Sequence, residues 1–117
     1  MASGSSKRTP NSGYKAMWIF AMFDLPVVTK EQRKRYTQFR KHLLYEGFCM
    51  LQFSVYARHC PTEDSAAHYR SSVAAKLPSQ GQVRLLSVTD RQFGKMAVFI
   101  GETSVATEAA PIQLMLF

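Results

Sequence analysis

The most apolar stretch of this 117-residue chain is Met17–Phe23. Its apolar residues occupy both alternating faces, which predicts a strand in the centre of a sheet, covered on both sides. Asp24 ends the run, and Pro26 prevents a helix from beginning at once.

A helix is predicted next, because Thr29 and Gln32 have the spacing of a capping box. We expect this helix to run to about Tyr45 and to be stopped by Gly47. Apolar residues spaced three and four apart predict its buried stripe, which consists of Tyr36, Phe39, Leu43 and Leu44.

The segment Phe48–Tyr56 is rich in aromatic and aliphatic residues, which predicts a strand in two pieces, bent near Gln52-Phe53-Ser54. Thr62 then caps a second helix, which we expect to reach about Leu77. Its predicted buried face consists of Ala66, Tyr69, Val73 and Leu77.

Two further strands are predicted at Val83–Val88 and Lys95–Gly101. The resulting order, β-α-β-β-α-β, predicts an α+β ferredoxin-like sandwich and allows an additional C-terminal strand. We expect this domain to span residues 16–102. Residues 1–15 are polar and basic, which predicts a disordered basic arm or an added leader, and residues 103–117 predict a linker that ends in an apolar docking segment.

Composition adds a strong excess of positive charge. The chain has 15 Lys and Arg residues against 8 Asp and Glu residues, a formal net charge of +7, and such a balance suits a polyanionic partner such as nucleic acid. No apolar run reaches the roughly 18 residues of a membrane span, so we expect no membrane partner. Cys49 and Cys60 form no CxxC pair, and reduced thiols of this kind indicate a cytoplasmic protein.

Much of the positive charge lies on the first helix. Lys30, Lys34 and Lys41 are spaced to share one exposed stripe opposite the apolar face, and Arg33 and Arg40 flank that stripe. A solvated helix face usually intersperses acids among its bases, whereas Glu31 is the one acid between Lys30 and Lys41. This pattern favours phosphate contact.

Asp24 allows two interpretations from the residues alone. An Asp before Leu-Pro is a natural turn residue, and a carboxylate at a strand end beside a basic helix is also suited to a divalent metal against a phosphate backbone.

Several short segments occur together in one order and spacing. They are Phe23-Asp24-Leu25-Pro26, the basic helix, Gly47-Phe48, Gln52-Phe53-Ser54-Val55-Tyr56 and Val88-Thr89-Asp90-Arg91-Gln92-Phe93. Together they resemble the CRISPR-associated protein two family, the small subunit of the CRISPR adaptation complex, and the likeness is closest to members that accompany type II systems. The resemblance covers about Trp18 to Glu102.

The resemblance implies a ferredoxin-like homodimer that bridges two dimers of the integrase subunit, CRISPR-associated protein one. This dimer would hold double-stranded DNA while the integrase inserts it into the CRISPR array. The residues expected to contact that DNA are Lys30, Arg33, Lys34, Arg40, Lys41 and Arg58. Family members have also been described as metal-dependent nucleases that act on RNA or DNA, which makes Asp24 the candidate catalytic residue and Mg²⁺ ligand. We expect the main role to be non-catalytic.

The C-terminal residues suggest a docking segment, carried by Gln113, Leu114, Leu116 and Phe117. They resemble the short peptide by which bacterial proteins bind the replication sliding clamp. The alternative, which we favour, is strand addition to the neighbouring protomer or to the integrase subunit.

Overall fold

The computed structural model of the protein describes residues 15–111. Residues 1–14 of the predicted arm and the docking residues Gln113, Leu114, Leu116 and Phe117 lie outside this part of the chain. One antiparallel sheet contains four strands, which are β1 Met17–Asp24, β2 Cys49–Gln52, β3 Val55–Cys60 and β4 Gln82–Thr89. They lie side by side in the order β2-β3-β1-β4. Strand β1 pairs with β3 on one side and with β4 on the other, so the prediction of a central strand is confirmed.

Two helices, α1 (Lys30–Tyr45) and α2 (Glu63–Ala74), cover one face of this sheet. Both predicted N-caps are present, since the Thr29 and Thr62 side chains each accept a hydrogen bond from the backbone three residues on. The main core lies between the helices and the sheet and contains Ile19, Ala21, Phe23, Phe39, Leu43, Ala66 and Val73. The predicted α+β ferredoxin-like order is therefore confirmed.

Two leucines predicted to be buried are exposed instead. Leu44 is 41% exposed because it lies about 100° around the helix from Leu43, beyond the stripe that faces the sheet. Leu77 is 49% exposed because α2 ends at Ala74 and does not reach it. Pro78 also keeps Leu77 itself out of the helix, since a residue that precedes proline is disfavoured in the helical conformation.

The C-terminal part differs from the prediction in two elements. The strand predicted at Lys95–Gly101 is limited to β5 (Val98–Ile100), and it pairs with β6 (Thr103–Val105) in a separate hairpin, not with the main sheet. A short helix, α3 (Asp90–Gly94), precedes it, because Thr89 and Gln92 form a third capping box. The domain limit predicted at residue 102 therefore falls between the two strands of this hairpin.

The second face of the sheet carries Trp18, Phe20, Met22 and Asp24, which alternate along β1 with the core residues. Phe93 of α3 stacks on Trp18 with the ring centroids 3.9 Å apart, and Trp18 Nε1 donates to Asp90 Oδ1 over 2.6 Å. Helix α3 therefore covers one end of this face, and Asp24 marks the other end.

Candidate nucleic-acid interface and strand-end carboxylate

Three exposed lysines of α1 form what we call the lysine surface: Lys30, Lys34 and Lys41. Among residues 15–111 there is one side-chain ion pair, between Arg35 and Glu31 at 3.8 Å, and it includes none of the three. The predicted stripe is thus present as a row of ammonium groups without a carboxylate partner in that region. Such a row attracts phosphate, and the neighbouring Glu31 carboxylate is paired with Arg35 and not with these lysines.

The arginines near this surface have different surroundings. Arg33 Nη1 donates to the carbonyl oxygens of Val28 at 2.8 Å and Val27 at 3.3 Å, so its guanidinium braces the loop that leads into α1. Arg40 is partly buried on the same helix. The contact of Arg33, Arg40 and the lysine surface with nucleic acid stays a prediction.

Arg58 lies on β3 and is engaged on three sides. Its Nε donates to the Glu46 carbonyl at 2.8 Å, Nη1 to the His59 carbonyl at 2.6 Å and Nη2 to the Tyr69 hydroxyl at 2.7 Å. The guanidinium carbon is 3.8 Å from the centroid of the Tyr69 ring. Arg58 therefore joins β3 to the end of α1 and to α2. Its predicted contact with phosphate stays a prediction.

Asp24 is exposed at the last position of β1, opposite Gln82 of β4. The backbone around it is closely held. Gly81 has a φ of +90°, and a Cβ added there would lie 2.7 Å from the Asp24 carbonyl oxygen. On the other side, the Phe23 N–H donates to the Ser54 carbonyl over 3.1 Å, and Ser54 has a φ of +64° in the β2–β3 turn. The Asp24 carboxylate is therefore attached to a strand end whose backbone is held closely on both sides.

The fit of a metal to Asp24 can be judged from the donors around it. Residues 15–111 contain no group of three His, Cys, Asp or Glu side chains arranged to hold an ion. Mg²⁺, however, keeps several waters and takes one or two protein carboxylates. One exposed carboxylate is therefore compatible with a Mg²⁺ ion, and the role of Asp24 as its ligand stays a prediction.

Three other titratable groups lie apart from Asp24. Burial raises the pKa of the Cys60 thiol, with the nearby Arg58 and Arg70 charges acting in the opposite sense, and burial also raises the pKa of Cys49. Burial lowers the pKa of His59, whose ring meets the Trp18 ring edge-on at 5.3 Å. These shifts favour the neutral forms of all three groups.

Sequence reasoning did not single out a groove between α1 and residues 76–79. The groove has a volume of about 600 Å³, and its walls include Tyr45 and Lys76. A signal was present in the sequence, because Tyr45 is an aromatic residue that falls outside the apolar stripe of its helix.

No helix within residues 15–111 is long and apolar enough to cross a membrane. The fold and the site define a small, basic, ferredoxin-like α+β protein with a lysine-rich helix beside an exposed carboxylate at the end of its central strand. The family model described as CRISPR associated protein Cas2 matches residues 17–96. The chain therefore belongs to the Cas2 family, and the resemblance inferred from its sequence is confirmed.

Similar proteins extend over most of the chain. A protein named CRISPR-associated endoribonuclease Cas2 from Parvibaculum lavamentivorans is 48% identical over 101 residues, which cover 86% of this chain and 100% of that protein. Proteins of the same name are 40% identical in Flavobacterium psychrophilum, with 89% and 90% of the two chains covered, and 42% identical in Paracidovorax avenae, with 91% and 98% covered. The likeness is thus to whole proteins of this size.

Proposed function

We propose that this chain is a DNA-binding structural subunit of a CRISPR spacer-acquisition complex, in which a homodimer bridges integrase dimers and holds double-stranded DNA. The observation that carries this proposal is the lysine surface on α1, whose ammonium groups have no carboxylate partner among residues 15–111. Membership of the Cas2 family supports it.

The dimensions of the lysine surface suit a duplex backbone. Lys30 and Lys41 are eleven positions apart on one helix, which at about 1.5 Å per residue places them about 16 Å apart along its axis. A row of this length can meet several phosphates of one DNA strand. Contacts of this kind carry no sequence information, so binding should tolerate any sequence and weaken steeply with salt.

The second face of the sheet supports the dimer. Between α3 and Asp24, this face presents Phe20, Met22 and the half-exposed Leu86, which are apolar and only partly covered. A second copy of the chain would remove this apolar surface from water. Because Asp24 follows Met22 on the same face, such a dimer would also bring the Asp24 carboxylates of the two copies to a shared surface.

A metal-dependent endonuclease is the second candidate function, and the names of the relatives favour it. Here Asp24 would hold Mg²⁺ together with a second carboxylate. When bound, such an ion polarises a phosphoryl oxygen and lowers the pKa of a bound water. The lysine surface would then position the phosphodiester backbone beside this strand end.

A spacer-integration assay with purified integrase subunit separates the two functions. Three variants are compared with the wild type: Asp24→Ala, the double variant Lys30→Ala/Lys34→Ala, and the charge-matched control Arg91→Ala/Lys95→Ala, whose sites are exposed on the other side of the domain. We expect integration to fall in the Lys30/Lys34 variant and to persist in the Asp24 variant and in the control.

The scaffold function fails if Asp24→Ala abolishes insertion while assembly and DNA binding remain intact. The nuclease function is tested in parallel on labelled RNA and DNA with Mg²⁺. Cleavage by the wild type that Asp24→Ala eliminates would support it, and equal cleavage by both proteins would place the activity elsewhere.

A further inference from the structure

The groove between α1 and residues 76–79 combines positive charge with exposed apolar surface. Its walls carry four basic side chains, which are Arg35, Lys41, His42 and Lys76, and no carboxylate lines it. Tyr45 and Leu77 also line it, and they are 86% and 49% exposed. A concave site of about 600 Å³ with convergent cations and an aromatic ring has the properties of a ligand site.

Hydrogen bonds hold the walls of the groove in place. Arg35 Nη1 donates to Ser79 Oγ over 2.7 Å, and Gln32 Nε2 donates to Gln80 Oε1 over 3.2 Å, so α1 is tied to the segment that follows α2. His42 Nε2 lies 3.2 Å from the Ser72 carbonyl oxygen, as a donor to it. The hydrogen bonds that hold the groove in shape therefore involve none of Lys41, Lys76 and Tyr45.

Lys41, Lys76 and Tyr45 are the groups left for a ligand. None of the three side chains makes a hydrogen bond or an ion pair with another residue in the range 15–111. The two ammonium groups suit phosphates. The Tyr45 ring, exposed at the last position of α1, offers a flat surface on which a base can stack.

The groove is continuous with the lysine surface. Gln38 and Lys41 line both the groove and a second depression beside it, whose other charged residues are Lys30, Arg33, Lys34 and one acid, Glu31. A nucleic-acid backbone that follows the lysine surface along α1 therefore leads directly into the groove. Paired bases cannot stack on a side chain while they remain inside a duplex, so the ring of Tyr45 suits an unpaired nucleotide.

We propose that this groove binds a single-stranded segment of the nucleic acid, with a base stacked on Tyr45 and the flanking phosphates on Lys41 and Lys76. This inference rests on the proposed function, because it extends the path of the bound backbone. It adds a separate class of ligand, unpaired nucleotides, and two residues outside the lysine surface, Tyr45 and Lys76.

The test compares binding of a fluorescein-labelled oligothymidylate of about eight nucleotides with binding of a blunt duplex, measured by fluorescence anisotropy. Tyr45→Ala should weaken single-strand binding by at least about fivefold, since one stacked base contributes about 1 kcal/mol or more. Tyr45→Phe keeps the ring and should remain within about twofold of the wild type. Neither variant should change duplex binding.

Two single lysine variants, Lys76→Ala and its control Lys95→Ala, test the phosphate contact. Lys76→Ala should reduce the salt dependence of single-strand binding by about 0.7 in the slope of log K against log salt, the value for one lost phosphate contact. The matched change Lys95→Ala, on the other side of the domain, should leave this slope unchanged. Photocrosslinking of an oligonucleotide that contains 5-iododeoxyuridine should label Tyr45, identified by peptide mass spectrometry.

Equal single-strand affinity in the wild type and Tyr45→Ala would overturn the proposal. So would a loss of integrase co-purification in Tyr45→Ala with single-strand binding intact, because the groove would then contact protein. Failure of the proposed function gives a different result, because duplex binding would then be unchanged in Lys30→Ala/Lys34→Ala. An unchanged thermal melt of Tyr45→Ala, expected for so exposed a side chain, excludes misfolding.

Discussion

At the scale of single residues, Arg58 illustrates how a basic side chain can be committed to the fold. A guanidinium has five N–H donors, and each of the three nitrogens of Arg58 already donates to an acceptor within the chain. Lys34, by contrast, is exposed on α1 and forms no ion pair within residues 15–111. The same formal charge therefore has different consequences at the two positions.

Exchange of each residue for methionine, which removes the charge and keeps an apolar stem, tests this difference. Arg58→Met should lower the free energy of unfolding by about 2 kcal/mol, because it leaves the Glu46 and His59 carbonyls without their charged donor. Lys34→Met should change it by less than about 0.5 kcal/mol. Urea unfolding measures both values. A large loss of duplex affinity in Arg58→Met at a temperature where it stays folded would assign Arg58 to the interface instead.

His59 gives a prediction about pH. Burial lowers its pKa below the ordinary value of about 6.5, the Asp90 charge opposes this shift, and the Arg58 charge adds to it. As the pH falls below about 6.5, the unfolded chain takes up a proton before the folded one does. The free energy of unfolding should therefore be fully retained above this pH and should decrease below it.

Two measurements check the His59 prediction. The imidazole titration followed by NMR should give a pKa below about 6.5, and Asp90→Asn should lower it further because a charge that raises it is removed. His59→Gln should reduce the loss of unfolding free energy between about pH 7 and pH 5. A His59 pKa at or above the ordinary value would contradict the account.

At the scale of elements, the joint between the end of β1 and the start of β4 depends on Gly81. Its φ of +90° lies in the left-handed region, and an added Cβ would stand 2.7 Å from both the Asp24 carbonyl oxygen and Leu25 Cδ2. Gly101, in the turn between β5 and β6, has a φ of +61° but open space around it. A side chain at Gly101 would therefore meet backbone strain alone, whereas one at Gly81 would meet both backbone strain and a steric clash.

Alanine substitution at both positions measures the two effects. Gly81→Ala should destabilise the protein by about 3 kcal/mol, because strain and a backbone clash combine. Gly101→Ala should cost about 1 kcal/mol from strain alone. Thermal or urea unfolding gives the two values, and equal losses at both sites would show that the approach of Gly81 to Asp24 has no energetic consequence.

The sequence could predict where the two long helices begin, but not how the C-terminal strands pair. The starts of α1 and α2 follow from local signals, because Thr29 and Thr62 each have a partner three residues on. The pairing of β5 with β6 could not be predicted, because strand pairing depends on which chain segment lies alongside and not on propensity alone. Helix α3 has the same local signal at Thr89 and Gln92, but it was not predicted.

At the scale of the whole molecule, the sequence predicted the layered α+β architecture and the row of lysines, because both depend on periodicity within one element. It did not predict the groove beside Tyr45, because Lys76 reaches this position only through the packing of α2 on the sheet. The arrangement of charge matters most for function, since it puts exposed ammonium groups that lack a carboxylate partner within residues 15–111 on one side of the domain.

If the lysine surface holds the backbone of duplex DNA, the salt dependence of duplex binding must change when these lysines are removed. Fluorescence anisotropy titrations at several salt concentrations give the slope of log K against log salt for the wild type, for Lys30→Ala/Lys34→Ala and for the charge-matched control Arg91→Ala/Lys95→Ala. The Lys30/Lys34 variant should lose about 0.9 in slope for each phosphate contact removed, while the control should retain the wild-type slope. Identical slopes for the wild type and the Lys30/Lys34 variant would show that the lysine surface does not hold the duplex backbone.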